Sequence, residues 1–218
     1  MTTTSYRLIA LFVIAFVPAG VLVAQRTASG AIAPEKIFDA IGVKEGLTIC
    51  EIGAGNGELT IAAAKLAGEG GRVYTSELGD DRVKALREKA TASGLAQITV
   101  VAGDPSKTNF PEAACDALFM RNVYHHFANP EEINASIFAS MKPGGRVAVI
   151  DFTPPGHEAP TPADRGKDGM HGIKPDTLSR ELKAAGFEAV SSDMGDERWF
   201  IVVVAKRQTP SQGEDVER

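Results

Sequence analysis

Residues 48–66 read TICEIGAGNGELTIAAAKL, an apolar stretch that passes through a glycine-rich turn into a second apolar stretch. The first part, Thr48–Ile52, predicts a buried strand, and Leu59–Leu66 predicts a helix packed against a sheet. The glycines between them allow a tight turn and leave no Cβ between the main chain and a ligand. Because open α/β sheets bind ligands where a strand ends beside a helix N-terminus, this turn is a candidate ligand site.

The rest of the chain alternates short apolar strand patterns with amphipathic helix patterns. This alternation predicts a doubly wound α/β fold with a mostly parallel sheet. Further helices are predicted from Asp80, from Pro130 with Asn129 as its cap, and over Lys174–Ala185. Only a short connection containing Gly195 separates the last two strands, which predicts an antiparallel hairpin at the sheet edge. The seven predicted strands are Thr48–Ile52, Arg72–Glu77, Ile98–Ala102, Ala114–Met120, Gly145–Phe152, Glu188–Asp193 and Trp199–Ala205.

The length of 218 residues predicts one domain, residues 34–207, with appendages at both ends. Leu8–Val23 carries no charged side chain, so residues 1–24 are predicted to be either a signal peptide or a membrane anchor. Residues 208–218 are predicted to form a disordered polar tail. The net charge of −5 argues against a nucleic-acid partner, and contact with a membrane is expected only through the N-terminal segment.

The two cysteines, Cys50 and Cys115, lie at the edges of apolar strand patterns. Their spacing matches neither a metal site nor a C-x-x-C redox motif, so two buried free thiols are expected. Free thiols give no sign of adaptation to an oxidising compartment, whereas a signal peptide would export the domain. The sequence therefore leaves open whether residues 1–24 export the domain or anchor it facing the cytosol.

Acidic side chains lie at or just after the carboxyl ends of the first three predicted strands. Glu51 and Glu58 flank the glycine turn, where they would repel the pyrophosphate of a dinucleotide and suit a ligand that carries an ammonium and a sulfonium. Glu77 ends the second strand, where a carboxylate can accept hydrogen bonds from a ribose diol. Asp104 follows the third strand and could accept from an adenine amino group or only stabilise a turn. Glu51 and Glu58 disfavour a nicotinamide dinucleotide as the ligand, whereas Glu77 suits either cofactor.

Together with the run Met141-Lys142-Pro143-Gly144-Gly145, these residues resemble the class I S-adenosylmethionine-dependent methyltransferases. The resemblance spans roughly Pro34 to Arg207 and implies S-adenosyl-L-methionine as the cofactor. It implies contacts with the methionine part from Glu51, Gly53, Ala54, Gly55 and Gly57, with the ribose from Glu77, and with the adenine from Gly103 and Asp104. An exported domain would need this cofactor outside the cytosol, where it is made.

The segment Arg121-Asn122-Val123-Tyr124-His125-His126-Phe127 leaves the fourth strand. In the family, residues here lie near the transferred methyl group, and the segment resembles the small-molecule branch. It implies Arg121 and Asn122 in the cofactor site. Tyr124, His125 or His126 could act as a base, although a packing role for the histidines is equally open. The segment lacks the Asn-Pro-Pro-Tyr run of amino-methylating enzymes, which argues against methylation of nucleic-acid or protein amines.

The predicted function is methyl transfer from S-adenosylmethionine to a small-molecule acceptor. Two alternatives stay open: a non-catalytic S-adenosylmethionine-binding module, and a nicotinamide-dependent oxidoreductase. The long segment Thr153–Gly172 is predicted to be a lid or substrate loop that shapes the acceptor pocket. Its neighbourhood contains His157 and His171, which are expected to be solvated because no metal-ligand spacing links them.

Overall fold

The computed structural model describes residues 32–195 and 198–208. The predicted N-terminal segment lies outside the described residues, and so does the predicted tail except for Gln208. Within the described ranges, no helix has both the length and the apolar character needed to cross a membrane. The domain boundaries proposed from the sequence stay predictions.

The described residues form a seven-stranded sheet covered by helices, as predicted. Short 3-10 turns lie at Tyr124–His126 and Pro162–Asp164. In chain order the elements are α1 Pro34–Ile41, β1 Thr48–Ile52, α2 Glu58–Ala67, β2 Arg72–Glu77, α3 Asp80–Ala92, β3 Ile98–Ala102, β4 Cys115–Arg121, α4 Pro130–Ser140, β5 Met141–Phe152, α5 Pro175–Ala184, β6 Glu188–Met194 and β7 Trp199–Ala205.

The strand order in the sheet is β3-β2-β1-β4-β5-β7-β6. Neighbouring strands from β3 to β5 pair in parallel, whereas β7 pairs antiparallel with both β5 and β6. The predicted terminal hairpin is therefore confirmed. The chain order reverses between β1 and β4, and such a switch point opens a crevice at the carboxyl ends of the strands.

Each face of the sheet is covered by its own apolar cluster. On one face, Leu118 and Val149 lie in a cluster with Ile137 of α4 and Leu182 of α5. On the other, the sheet packs against α1 and α2, and the ring of Phe38 makes an edge contact with Phe119 at 5.5 Å between centroids. Helix α1 is absent from the sequence prediction because its eight residues give too short a periodic pattern.

The cap of α4 differs from the prediction. Asn129 stands at the N-cap position, but its side chain makes no capping hydrogen bond. Its φ of −126° and ψ of 79° lie away from the extended conformation typical of capping residues. The start of α4 is defined instead by Pro130, whose fixed φ favours the first helical position.

The prediction of two free thiols is wrong, because Cys50 and Cys115 form a disulfide. Their Cα atoms are 5.8 Å apart, and both side chains are fully buried. The two residues are 65 positions apart in the chain and become neighbours only because β1 pairs with β4. Spacing along the sequence does not reveal this strand order.

Candidate functional site

A cavity of about 480 Å³ opens at the carboxyl edge of β1, β2, β3 and β4. The sequence predicts that the acidic and glycine-rich segments lie at this edge. The cavity is lined by Ile52, Gly53, Gly55, Ser76, Glu77, Leu78, Arg82, Gly103, Asp104, Pro105, Lys107, Thr108, Arg121, Asn122, Val123, His126, Phe127 and Ile133. Seven of the ten predicted cofactor residues and one of the three predicted catalytic residues thus line this cavity.

The glycine turn crosses from β1 to the first turn of α2 in a conformation that requires glycine. Gly53 has a φ of 71°, and its amide donates to the carbonyl of Ser76 at 2.9 Å. A Cβ at this position would lie 2.3 Å from Cγ2 of Val123. The turn therefore packs directly against the segment that leaves β4, and any larger residue would separate the two.

Glu77 is held at the pocket wall by two backbone amides. Its Oε2 accepts from the amide of Gly55 and its Oε1 from the amide of Leu78, each at 2.8 Å. The side chain is 11% exposed, and Nε of Arg82 lies 3.6 Å from Oε1. A carboxylate has about four acceptor positions, so two remain for a ligand after these contacts. The geometry presents a fixed, charged acceptor to the cavity.

Asp104 and Gly103 form the part of the wall that follows β3. The amide of Gly103 donates to the carbonyl of Glu77 at 2.9 Å, which ties this segment to the end of β2. Oδ1 of Asp104 accepts from the amide of Ser106 at 2.7 Å. The turn-stabilising role considered from the sequence is therefore present, and the same side chain also lines the cavity.

Glu51 lies behind the pocket wall and is buried. Its Oε2 accepts hydrogen bonds from the hydroxyls of Thr60 and Thr75, the second at 3.1 Å. Burial raises the pKa of this carboxyl from 4.5 to about 7, against the two hydroxyls that lower it. Ala54 and Gly57 are likewise buried and absent from the wall. Contact of these three residues with a cofactor stays a prediction.

The charges on the wall differ from those expected from the acidic residues alone. Beside Glu77 and Asp104 stand three basic side chains, Arg82, Lys107 and Arg121. Glu58 is exposed at the start of α2 and is not part of the wall. Net charge therefore does not identify the ligand, and the position of individual groups carries the argument instead.

Tyr124 does not reach the cavity. It is fully buried, and its hydroxyl donates to Oε2 of Glu181 at 3.0 Å and accepts from Nδ2 of Asn134 at 2.6 Å. Burial, together with the nearby Glu181 carboxylate, raises the pKa of the phenol. Arg165, in the loop before α5, extends this network because two of its guanidinium nitrogens donate to the carboxylate of Glu181. The side chain ties α4, α5 and that loop together.

The two predicted histidines have different surroundings. His126 lines the cavity, whereas His125 is 2% exposed and lies behind it. Nδ1 of His125 is 2.8 Å from Oδ1 of Asp151, and its Nε2 is 2.9 Å from Nε2 of His171. His171 is exposed, as expected of a loop histidine, but its ring also packs against His125, which the sequence does not predict.

Sequence reasoning missed both partners of His125. Asp151 lies at the carboxyl end of β5 within the apolar run VAVIDF, and a charged residue inside such a run is a signal that could have identified it. No sequence pattern links His171 to His125, since the two are 46 positions apart. None of the residues of Thr153–Gly172 lines the cavity. The ring of His171 lies beside that of His126, which does line it.

The buried carboxyl of Glu51 predicts a stability that depends on pH. Because its pKa is higher in the folded chain than its ordinary 4.5, the folded state binds more protons than the unfolded state between pH 4.5 and about 7. Stability attributable to this group therefore falls as pH rises through that window and is lowest above it. At 1.36 kcal/mol per unit, the loss is on the order of 3 kcal/mol.

We expect Glu51→Gln to unfold with wild-type stability at pH 5 and to be more stable than wild type at pH 8. Urea unfolding at both pH values measures the difference. The matched control is Glu69→Gln, an exposed acid just after α2, which should change neither value by more than about 0.5 kcal/mol. Equal stability of Glu51→Gln and wild type at pH 8 would show that Glu51 is not buried as described.

Comparisons with known proteins agree with this geometry. Residues 50–149 match the family described as methyltransferase domain. A ubiquinone/menaquinone biosynthesis C-methyltransferase of Salmonella arizonae is 29% identical over 119 residues, which cover 54% of this chain and 47% of that relative. The chain thus spans about half the length of the curated relatives that it matches.

Solved structures share the fold. A SAM-dependent methyltransferase from Aquifex aeolicus has a TM-score of 0.68 at 24% identity, covering 78% of this chain and 88% of that one. The phosphoethanolamine N-methyltransferase 2 of Haemonchus contortus, solved in complex with S-adenosyl-L-methionine, has a TM-score of 0.66 at 16% identity, covering 80% and 52%. Residues 50–149 are therefore similar in sequence to a methyltransferase domain, and the strand order and the shared fold make the chain similar to the S-adenosylmethionine-dependent methyltransferases.

Proposed function

We propose that this chain transfers a methyl group from S-adenosyl-L-methionine to a small-molecule acceptor. The observation that carries the proposal is the carboxylate of Glu77, fixed by two amides at the end of β2 and facing a cavity at the sheet's switch point. A ribose diol offers two hydroxyl donors, which match the two acceptor positions that Glu77 retains. The cavity of about 480 Å³ lies within the range of small-molecule sites.

The residues of the wall divide between the parts of the cofactor. Glu77 binds the ribose hydroxyls, and Gly103 and Asp104 lie where the adenine is expected. Gly53 and Gly55, together with Arg121 and Asn122, lie where the methionine part is expected. The cofactor supplies a methyl group on a sulfonium, which is a good leaving group. The contribution of the chain is to hold donor and acceptor in line, and such positioning accounts for much of the rate.

The acceptor is proposed to be a small molecule with an apolar part and a polar group. Phe127, Ile133 and Val123 give the cavity an apolar side next to His126. The related proteins are named for methylating a carbon in ubiquinone/menaquinone biosynthesis and the nitrogen of phosphoethanolamine. These names suggest two acceptor classes for a first screen, a hydroxylated aromatic ring and a small amine.

Residues 1–24 are proposed to carry the domain out of the cytosol as a signal peptide. The disulfide between Cys50 and Cys115 supports this, since such bonds persist in oxidising compartments and are rare in the cytosol. Intact mass and N-terminal sequencing of the protein from a fractionated bacterial host test the proposal. A periplasmic protein that begins after residue 24 agrees with it, and a chain that still begins at Met1 in the membrane fraction contradicts it.

Calorimetric titration of the full-length chain tests the cofactor. We expect saturable binding of S-adenosylmethionine and of S-adenosylhomocysteine, and no binding of NAD at the same concentrations. Transfer of a labelled methyl group to the acceptor classes above then separates an enzyme from a module that only binds the cofactor. Binding of NAD alone, or of none of the three, would contradict the proposal.

A further inference from the structure

Three histidine side chains converge beside the pocket. His125 and His126 come from the turn after β4, and His171 comes from the segment before α5. One ring nitrogen of each lies within 4.8 Å of the other two, and elsewhere in the described residues no three metal-ligating side chains approach so closely. The ring centroids of His125 and His126 are 4.0 Å apart. Imidazole nitrogens in such a group are typical ligands of divalent transition metals.

Asp151 fixes the orientation of the buried member of the group. Its Oδ1 lies 2.8 Å from Nδ1 of His125, and the carboxylate also accepts from the amides of His125 at 3.1 Å and Phe152 at 2.9 Å. These contacts make Nδ1 the protonated nitrogen, so that Nε2 directs its lone pair toward His171. Carboxylates orient metal-binding histidines in this way. Asp151 is also fully buried, and an adjacent cation would compensate its charge.

Backbone hydrogen bonds of the two residues that follow His171 hold this segment in position. The amide of Ile173 donates to the carbonyl of Phe152 at 2.9 Å, and the amide of Gly172 donates to the carbonyl of Arg165 at 3.2 Å. A Cβ on Gly172 would lie 2.5 Å from the carbonyl oxygen of Phe152, so only glycine allows this approach to β5. The third ligand is therefore held in place before any ion binds.

We propose that His125, His126 and His171 bind a divalent transition-metal ion, with zinc as the first candidate. Zinc lies about 2.0–2.1 Å from each histidine nitrogen in tetrahedral sites, which separates neighbouring nitrogens by about 3.3 Å. The Nε2 atoms of His125 and His171 are 2.9 Å apart, so the pair would open by a few tenths of an ångström. Three protein ligands leave one coordination position for another molecule, as in catalytic zinc sites.

The ion would lie next to the space that the acceptor occupies, because His126 belongs to both the metal group and the pocket wall. This part of the proposal rests on the proposed methyl transfer. A hydroxyl of the acceptor would bind at the open position, and the ion would lower its pKa so that the proton passes to water. The acceptors favoured by this arrangement carry a hydroxyl group that can coordinate a metal.

Zinc titration of the untagged full-length chain, after treatment with a chelator, tests the site. We expect one zinc ion per chain with a dissociation constant that is micromolar or tighter. His171→Ala, which removes an exposed side chain, should weaken zinc binding by at least about 100-fold, and Asp151→Asn by about 10- to 100-fold. His157→Ala removes another exposed histidine of the same loop and should leave the affinity unchanged.

The variants are also titrated with S-adenosylmethionine and melted, which separates the two proposals. Zinc binding that disappears in His171→Ala while the melting temperature and cofactor affinity persist supports the metal site. Absence of zinc binding in the wild type, or equal affinity in wild type and His171→Ala, overturns it. If the wild type binds zinc but not S-adenosylmethionine, the metal site stands and the proposed cofactor does not.

Discussion

Replacing Glu77 with alanine is expected to weaken S-adenosylmethionine binding by at least about 100-fold. A hydrogen bond to a charged group contributes about 1.5–3 kcal/mol, and the ribose would lose two of them. At 1.4 kcal/mol per factor of ten, even the lower estimate gives about two orders of magnitude. The change also removes the acceptor of the Gly55 amide, which loosens the glycine turn. Calorimetric titration with S-adenosylmethionine measures the loss.

Two further variants make this result interpretable. Glu77→Gln keeps one acceptor oxygen and loses the charge, so its affinity should fall between those of wild type and Glu77→Ala. Glu88→Ala removes an equal charge from the exposed face of α3 and should bind like wild type. Wild-type affinity in Glu77→Ala would remove Glu77 from the site, whereas equal losses in Glu77→Ala and Glu88→Ala would point to net charge rather than to a specific contact.

The sequence was sufficient to predict those parts of the site that depend on local geometry. Gly53, Glu77 and Asp104 each lie at or just after the carboxyl end of a strand, and parallel strands bring these ends to one edge whatever their order. Their presence on one wall therefore needed only the correct assignment of strands. The predicted roles of Tyr124 and His125 depended instead on side-chain direction, and both side chains point into the protein. A pattern of three consecutive polar residues does not show which of them faces the cavity.

Contacts between distant segments could not be predicted from the sequence in the same way. The sequence patterns predict all seven strands but not the order in which they pair, including β1 beside β4. His171 and Asp151 meet His125 only after β5 and the loop behind it have packed beside β4. The disulfide belongs to the same class of contact, and for this reason the sequence alone predicts two separate thiols.

The disulfide predicts the largest loss of stability in the chain. A bond that closes a loop of 65 residues stabilises the fold by about 4 kcal/mol through the restricted unfolded chain. We therefore expect the double variant Cys50→Ala and Cys115→Ala to lose about that much free energy of unfolding in urea. The protein for this measurement is purified without reductant from the periplasm of a bacterial host, where the bond can form.

The free energy of unfolding that is lost with the cross-link must be separated from the loss caused by truncating two buried side chains. Wild type that has been reduced and refolded in the presence of a thiol retains both cysteines and lacks only the cross-link. It should therefore have nearly the stability of the double variant, and the oxidised wild type should stand about 4 kcal/mol above both. Because both sulfurs are fully buried, a reductant can reach the bond only when the fold opens locally or unfolds. The rate of that opening should therefore limit the rate at which the native oxidised protein is reduced. Two thiols that titrate in unfolded, unreduced protein would show that the bond does not form, and with it would go the main structural support for export of the domain.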